Sequence, residues 1–125
     1  IGLRSRLKME INQVINVSVL KSVPLNHNVG AKQVIIDNGP KETIPQIAKA
    51  FIKKNAIIEE HEHKDMTEYF YVLEGNCFFI INGVELYAIE NSFIVIPPAT
   101  KHSVITKTSF VKLFYWGCIE NRIND

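Results

Sequence analysis

The sequence predicts an all-β protein, a sandwich or barrel, on three observations. From about residue 50 onward the chain is a series of short apolar runs rich in Ile, Val, Phe and Tyr. Turn residues break these runs at intervals of roughly 8 to 12, the spacing of antiparallel strands in sandwiches and barrels. Asn82-Gly83 separates "FFII" from "VELYAI", and both residues tolerate the positive φ of a type I′ hairpin turn. Pro97-Pro98 closes another apolar run, as expected where a strand must end for want of a ladder N–H.

Taken in order, "VINVSVL" (14–20) and "AKQVIID" (31–37) read as strands, with "NGPKE" a loop after the second. "TIPQIAKAFIKK" is ambiguous. Ile44, Ile47, Ala48 and Phe51 fall at helical spacing and Pro45 suits a first helical turn, so local pattern slightly favours a helix. The remaining candidate strands are "AIIEEHEH", "EYFYVLEG", "CFFII", "VELYAI", "SFIVIP", "HSVITK" and "SFVKLFYWG". Glu74-Gly75-Asn76 marks a further tight reversal.

A chain of 125 residues, 46% hydrophobic, can bury one compact core and is too short for two ordinary domains. The reading is one domain over 9–125. The segment "IGLRSRLK" (1–8) is basic and patternless before Met9, and it reads as a cloning scar or disordered extension outside the fold. A formal net charge of +1, from 14 basic and 13 acidic side chains, gives no electrostatic footprint for nucleic acid or an anionic membrane. No apolar run approaches the roughly 18 residues that would span a bilayer, so the expected partners include neither, and the expected location is cytoplasmic. Cys77 and Cys118 lack a CxxC spacing and read as reduced, buried thiols.

The stretch "HEHKDMTE" (61–68) carries the chemistry. On a strand, His61 and His63 would share a face while Glu62 points away. Four residues then allow a reversal, and Glu68 leads into the strongly apolar "YFYVLEG". A solvated polar hairpin is the ordinary explanation for so many charges. It fails to explain Glu68, because a carboxylate buried in such a strand is costly without a cation. His102, after Pro97-Pro98, could reach the same place from across a barrel. Imidazole and carboxylate without thiolate suit first-row divalent ions.

These residues resemble the cupin family. Its first motif, G-x5-H-x-H-x3,4-E-x6-G, is matched from the histidines onward by His61-x-His63-x4-Glu68-x6-Gly75. Its second, G-x5-P-x-G-x2-H-x3-N, is followed in spacing by Asn91-x5-Pro97-x-Ala99-x2-His102. Asn55 and Asn91 stand where glycines are expected, Ala99 replaces another, and Thr106 replaces the terminal Asn. Asn is the non-glycine residue most at ease with positive φ, and Ala is the smallest possible change. The resemblance implies a double-stranded β-helix, or jelly-roll, with extra N-terminal strands, and it makes "IAKAFIKK" a strand against the local helical signal. It also implies that His61, His63, Glu68 and His102 bind one divalent metal ion, which could be Fe, Mn, Ni, Zn, Co or Cu.

Four protein ligands would leave an octahedral ion two open positions. Phe70 and Val72 share the face of Glu68, and Thr100 and Val104 that of His102, so these four are the expected pocket lining. Ordinary barrel packing would also place apolar residues there. Tyr69, Tyr71, Tyr87 and Tyr115 are candidate general acids. The arginines Arg4, Arg6 and Arg122 all lie near the ends, which argues against an anion clamp in the core. In "FVKLFYWG", Phe110, Lys112, Phe114 and Trp116 alternate with Val111, Leu113 and Tyr115. Because Lys112 should avoid the core, its face would be an apolar outer surface, for which a homodimer interface is the expected cover. The expected function is a small-molecule enzyme, a dioxygenase or a metal-assisted isomerase or lyase. "HEHKDMTEYFYVLEG" loosely resembles small cupins encoded near polysaccharide biosynthesis genes, so the expected substrate is small and polar, and the resemblance implies a sugar-related one. The alternative is a non-catalytic metal-dependent binding or sensor module.

Overall fold

The computed structural model describes residues 13–37, 39 and 43–119. Residues 1–8, all three arginines and all of the "NGPKE" loop but Gly39 lie outside the described residues. Among the described residues ten strands form: β1 (Ser22–Pro24), β2 (Gly30–Asp37), β3 (Gln46–Ile52), β4 (Ile57–His61), β5 (Met66–Gly75), β6 (Cys77–Ile81), β7 (Val84–Ala88), β8 (Phe93–Ile96), β9 (His102–Ile105) and β10 (Val111–Ile119). They make a six-stranded sheet of order β1-β2-β3-β10-β5-β8 and a four-stranded sheet of order β4-β9-β6-β7. Every described pairing is antiparallel. This is the jelly-roll expected from the sequence.

The core follows from strand alternation. On β5, Glu68, Phe70 and Val72 point inward and are buried, and on β10 Val111 and Leu113 do the same. Phe79, Cys77 and Val104 meet them from the smaller sheet. Phe70 is fixed by ring contacts on two sides, stacked on Tyr115 at 5.4 Å and tilted against Phe79 at 5.1 Å. Burial of each such side chain is worth about 1.5–3 kcal/mol. Burial also pushes the Cys77 thiol up to about 12, which keeps it protonated and unreactive.

Two sequence expectations need correction. "VINVSVL" does not form a strand: Val17–Val19 is a 3-10 turn. The Asn16 side chain accepts the Ser18 N–H at 3.1 Å, and Gln33 from β2 donates to the Val17 and Leu20 carbonyls at 2.9 and 3.0 Å. A side-chain cap and a cross-strand amide thus outweigh the β propensity of the valines. The Glu74-Gly75-Asn76 reversal is a crossing between sheets, because β5 and β6 belong to different ones. "IAKAFIKK" does form a strand, within β3, where pairing on both edges by β2 and β10 overrides the helical spacing.

The turns carry the backbone strain. Asn82 and Gly83 have φ of 49° and 80°, the pair of positive values that a type I′ turn requires. Asn55, Asn91 and Ala99, standing in the family's glycine positions, have φ of 59°, 74° and 56°. The left-handed conformation is therefore kept even with alanine, at a cost of about 1–2 kcal/mol. Thr106 likewise keeps a structural role: its hydroxyl donates to the Lys53 carbonyl at 2.6 Å and accepts the Ala56 N–H at 2.9 Å, closing the turn around Asn55. Gly75 has φ of 79°, and a Cβ there would collide with the Phe110 carbonyl oxygen. Gly75→Ala is therefore expected to cost at least about 2 kcal/mol, the left-handed penalty plus the clash, measurable as a lowered urea midpoint.

Candidate metal centre

Antiparallel pairing builds the site. β4 and β9 are aligned so that His61 lies directly opposite His102, and their rings stand 4.3 Å apart. β5 supplies Glu68 from the facing sheet. His63 arrives differently from the sequence expectation, since β4 ends at His61 after a register shift, so His63 reaches the cluster from the following loop. That loop is tied to the far side of the site by the Ala99 N–H, which donates to the His63 carbonyl at 2.6 Å. The left-handed Ala99 thus holds the His63 segment in place.

One donor atom from each of His61, His63, Glu68 and His102 lies within 4.8 Å of every other. Glu68 Oε1 is 2.9 Å from His102 Nε2 and 3.5 Å from His63 Nε2. His102 is 1% exposed and Glu68 8%, whereas His61 is exposed and His63 half-buried, so two donors are sealed in and two face the entrance. The imidazole orientations are set by backbone. His61 Nδ1 bonds the Glu59 carbonyl at 2.8 Å and His102 Nδ1 bonds the Thr100 carbonyl at 2.9 Å. A carbonyl only accepts, so the hydrogen sits on Nδ1 and Nε2 is left as the electron-pair donor, the arrangement found behind metal-bound histidines.

The buried atoms are incomplete without a further partner. Glu68 Oε1 and His102 Nε2 are both inaccessible and neither has a directed hydrogen bond, although they are 2.9 Å apart. Orphaned groups of this kind are costly in an apolar interior. A divalent ion would satisfy both atoms, and the donor set of three imidazoles and one carboxylate suits it. A proton is the other candidate. Burial works against a charge on His102, but the adjacent Glu68 carboxylate and the Thr100 carbonyl outweigh it and raise the pKa above the ordinary histidine value.

The cluster opens into a cavity of about 140 Å³ between the sheets. Its walls are Leu25, Ala50, Ile52, Ile58, Phe70, Val104, Leu113 and Tyr115, with His61, Glu68 and His102 at its polar end. Of the expected lining residues, Phe70 and Val104 are on this wall. Val72 is packed wholly within the core, and Thr100 sits at the loop before β9, its hydroxyl on the Pro98 carbonyl at 3.2 Å. Among the tyrosines, Tyr115 faces the cavity. Burial, and then the negative charge of Glu68, push its hydroxyl up to about 12, so it keeps its proton. Ala50, Ile52 and Leu113 follow from strand alternation once β3 and β10 are placed side by side. Leu25 carries no signal in the sequence.

A jelly-roll with three imidazoles and a carboxylate converging at one end of its cavity defines a class of protein. The cupin-domain family model matches residues 50–116, and the chain belongs to the cupin family. No curated protein matches the sequence. Among solved structures, it is similar to a predicted oxalate decarboxylase of Thermotoga maritima, at 15% identity over 86% of this chain and 100% of the other, with a TM-score of 0.76. It is also similar to KdgF from Halomonas sp., at 11% identity over 90% and 97% of the two chains and a TM-score of 0.75. The polyketide cyclase RemF of Streptomyces resistomycificus is a third, at 15% identity over 90% and 82%, with a TM-score of 0.75. At these identities the likeness is one of fold.

The raised His102 pKa gives a pH dependence. In metal-free protein the His102–Glu68 contribution to stability is complete below the unfolded histidine pKa of about 6.5. It is lost as pH rises through the higher folded value. Metal must displace the same proton, so apparent affinity should fall as pH is lowered through this range, and binding at neutral pH should release protons. Titration with Co(II) in a weakly buffered indicator solution measures both.

Proposed function

We propose that this protein is a metal-dependent cupin that acts on a small molecule, with His61, His63, Glu68 and His102 holding one divalent ion. The observation that carries this reading is the pair of orphaned buried atoms, Glu68 Oε1 and His102 Nε2, at the polar end of an apolar-walled cavity. Such an ion, when bound, supplies Lewis acidity or, if redox-active, reaction with O₂. The protein's own residues provide the rest. Ile52, Phe70, Val104 and Leu113 exclude water from the reacting end. Tyr115, neutral and facing the cavity, can donate a hydrogen bond or proton to a substrate oxygen.

A dioxygenase or a metal-assisted isomerase or lyase is the favoured reaction class, and the varied names of the structural neighbours argue against carrying over any one reaction. Few polar side chains line the cavity beyond the ligands and Tyr115. That narrows the expectation of a polar, sugar-related substrate to a molecule whose polar atoms are gathered at one end. A second reading, a binding or sensor module without turnover, is favoured by the small cavity and the scarcity of polar side chains on its wall beyond the cluster itself. We read residues 9–125 as one domain. We also place the protein in the cytoplasm, where the free Cys77 and Cys118 would stay reduced. Among the described residues, no helix is long and apolar enough to cross a membrane.

We further propose a homodimer through the outer face of the larger sheet. There Tyr69 stacks between Trp116 and Phe93 at 5.3 and 6.1 Å, and Phe114 lies 5.6 Å from Trp116. Phe93 and Val95 are 53% and 48% exposed. β1 and β2 extend this sheet sideways and do not cover the face, so another surface is needed to bury it.

Divalent metal at a hundredfold excess over Kd should stabilise the wild type by about 2.7 kcal/mol, seen as a raised Tm, and should leave Glu68→Gln unchanged; equal shifts in both would overturn the ligand set. Metal analysis of protein purified without added metal, with O₂-consumption screening, separates the reactions. Stoichiometric Fe with substrate-dependent uptake selects the dioxygenase, and Zn or Ni without it selects non-redox chemistry or binding. Sedimentation velocity should show a dimer that Phe93→Asp converts to monomer without loss of metal.

A further inference from the structure

Two hollows meet at one wall. The inner cavity of about 140 Å³ and an outer groove of about 380 Å³, which adds Asn26, His27, Ile57, Glu59 and Glu60, share Leu25, Ile58 and His61. His61 belongs to the donor cluster, which leaves Leu25 and Ile58 as the residues that separate the hollows. We propose that Leu25 and Ile58 act as a length gate, restricting the site to short bidentate oxygen chelators with a compact apolar body. This deepens the metal-centre reading and rests on it.

The size and lining of the inner cavity define the class. A cavity of about 150 Å³ accepts a molecule the size of benzene, so a chelating head and a few carbons fill it. Among the described residues, no lysine or arginine lines it, so the metal is the counter-charge that this wall offers a dianion. A polyhydroxylated body would lose hydration without replacement partners. An octahedral ion held by the four donors would have two positions left, which would suit two oxygen donors on adjacent or alternate atoms, as in a hydroxyketone, a diketone or a hydroxamate. Tyr115 can address one of those oxygens.

The gate is a fixed wall and not a swinging lid. The Leu25 N–H donates to the Gly30 carbonyl at 2.8 Å, and the Asn28 N–H donates to the Leu25 carbonyl at 3.3 Å. Val29 is buried in the core, and its carbonyl accepts the Lys53 N–H at 2.9 Å. The turn between these anchors is tight enough to put His27 and Asn28 at φ of 61° and 55°. Leu25 is thereby held from both ends against the barrel mouth, opposite Ile58 on β4.

The test uses the Co(II)-loaded protein and straight-chain hydroxamates from acetohydroxamate to octanohydroxamate, with the Co(II) visible bands as readout. In the wild type, affinity should rise about fourfold per added methylene while the chain fits, then fall for the longest chains. In Leu25→Ala and in Ile58→Ala the rise should continue, so that octanohydroxamate binds on the order of tenfold more tightly than to the wild type, a gain that acetohydroxamate, too short to reach the gate, should not share. Either variant carries the prediction if the other fails to fold, as judged by circular dichroism. Wild-type affinity that climbs through octanohydroxamate, or folded variants that repeat the wild-type profile, would overturn the gate alone. A wild type that shows no Co(II) bands would overturn the metal-centre reading beneath it.

Discussion

A carboxylate placed inside an apolar barrel sets the terms for everything around it. Glu68 sits on the inward face of β5, in line with Phe70 and Val72, where an unpaired negative charge is one of the most expensive features a fold can carry. Among the described residues, the buried group placed to offset it is His102, 2.9 Å away and itself sealed from solvent. The pair is therefore in balance only when a cation is present, either a proton on the imidazole or a metal ion between the two. That choice between proton and metal makes the site responsive to pH.

The rest of the barrel serves to keep this pair in register. β10 lies between β3 and β5 and turns Val111 and Leu113 into the core, so β5 cannot slip by one residue without turning Glu68 outward and Tyr69 inward. The β4–β9 pairing places His61 across from His102. Ala99 accepts a left-handed conformation so that its N–H can reach the His63 carbonyl. Backbone strain at one residue is here exchanged for the position of a histidine four strands away in sequence.

Much of this was legible beforehand because it is local. His-x-His spacing, a carboxylate opening an apolar strand, and Asn-Gly between two alternating runs each declare themselves within a few residues, and β6 has the limits that "CFFII" suggests. What the sequence misled on depends on partners remote in the chain. "VINVSVL" has strand-like composition, yet it turns because Gln33 binds its carbonyls. His63 was expected on a strand that ends two residues earlier, at a register shift decided by β9. Of the cavity wall, Phe70 was readable from the period of its strand, whereas Leu25 was not, because its place over the mouth depends on how the 25–30 turn is pinned to Lys53.

The imidazoles of His61 and His102 are each oriented by the carbonyl of the residue two positions earlier in their own chain, Glu59 and Thr100. Many metal sites depend instead on outer side chains, so that altering the surroundings disturbs the ligands. Here those two rings take their orientation from main-chain carbonyls, which any residue at positions 59 and 100 would offer. The walls of the cavity can thus change without disturbing those two contacts, and single substitutions at the barrel mouth could reshape the hollow while the cluster of imidazoles and carboxylate keeps its form.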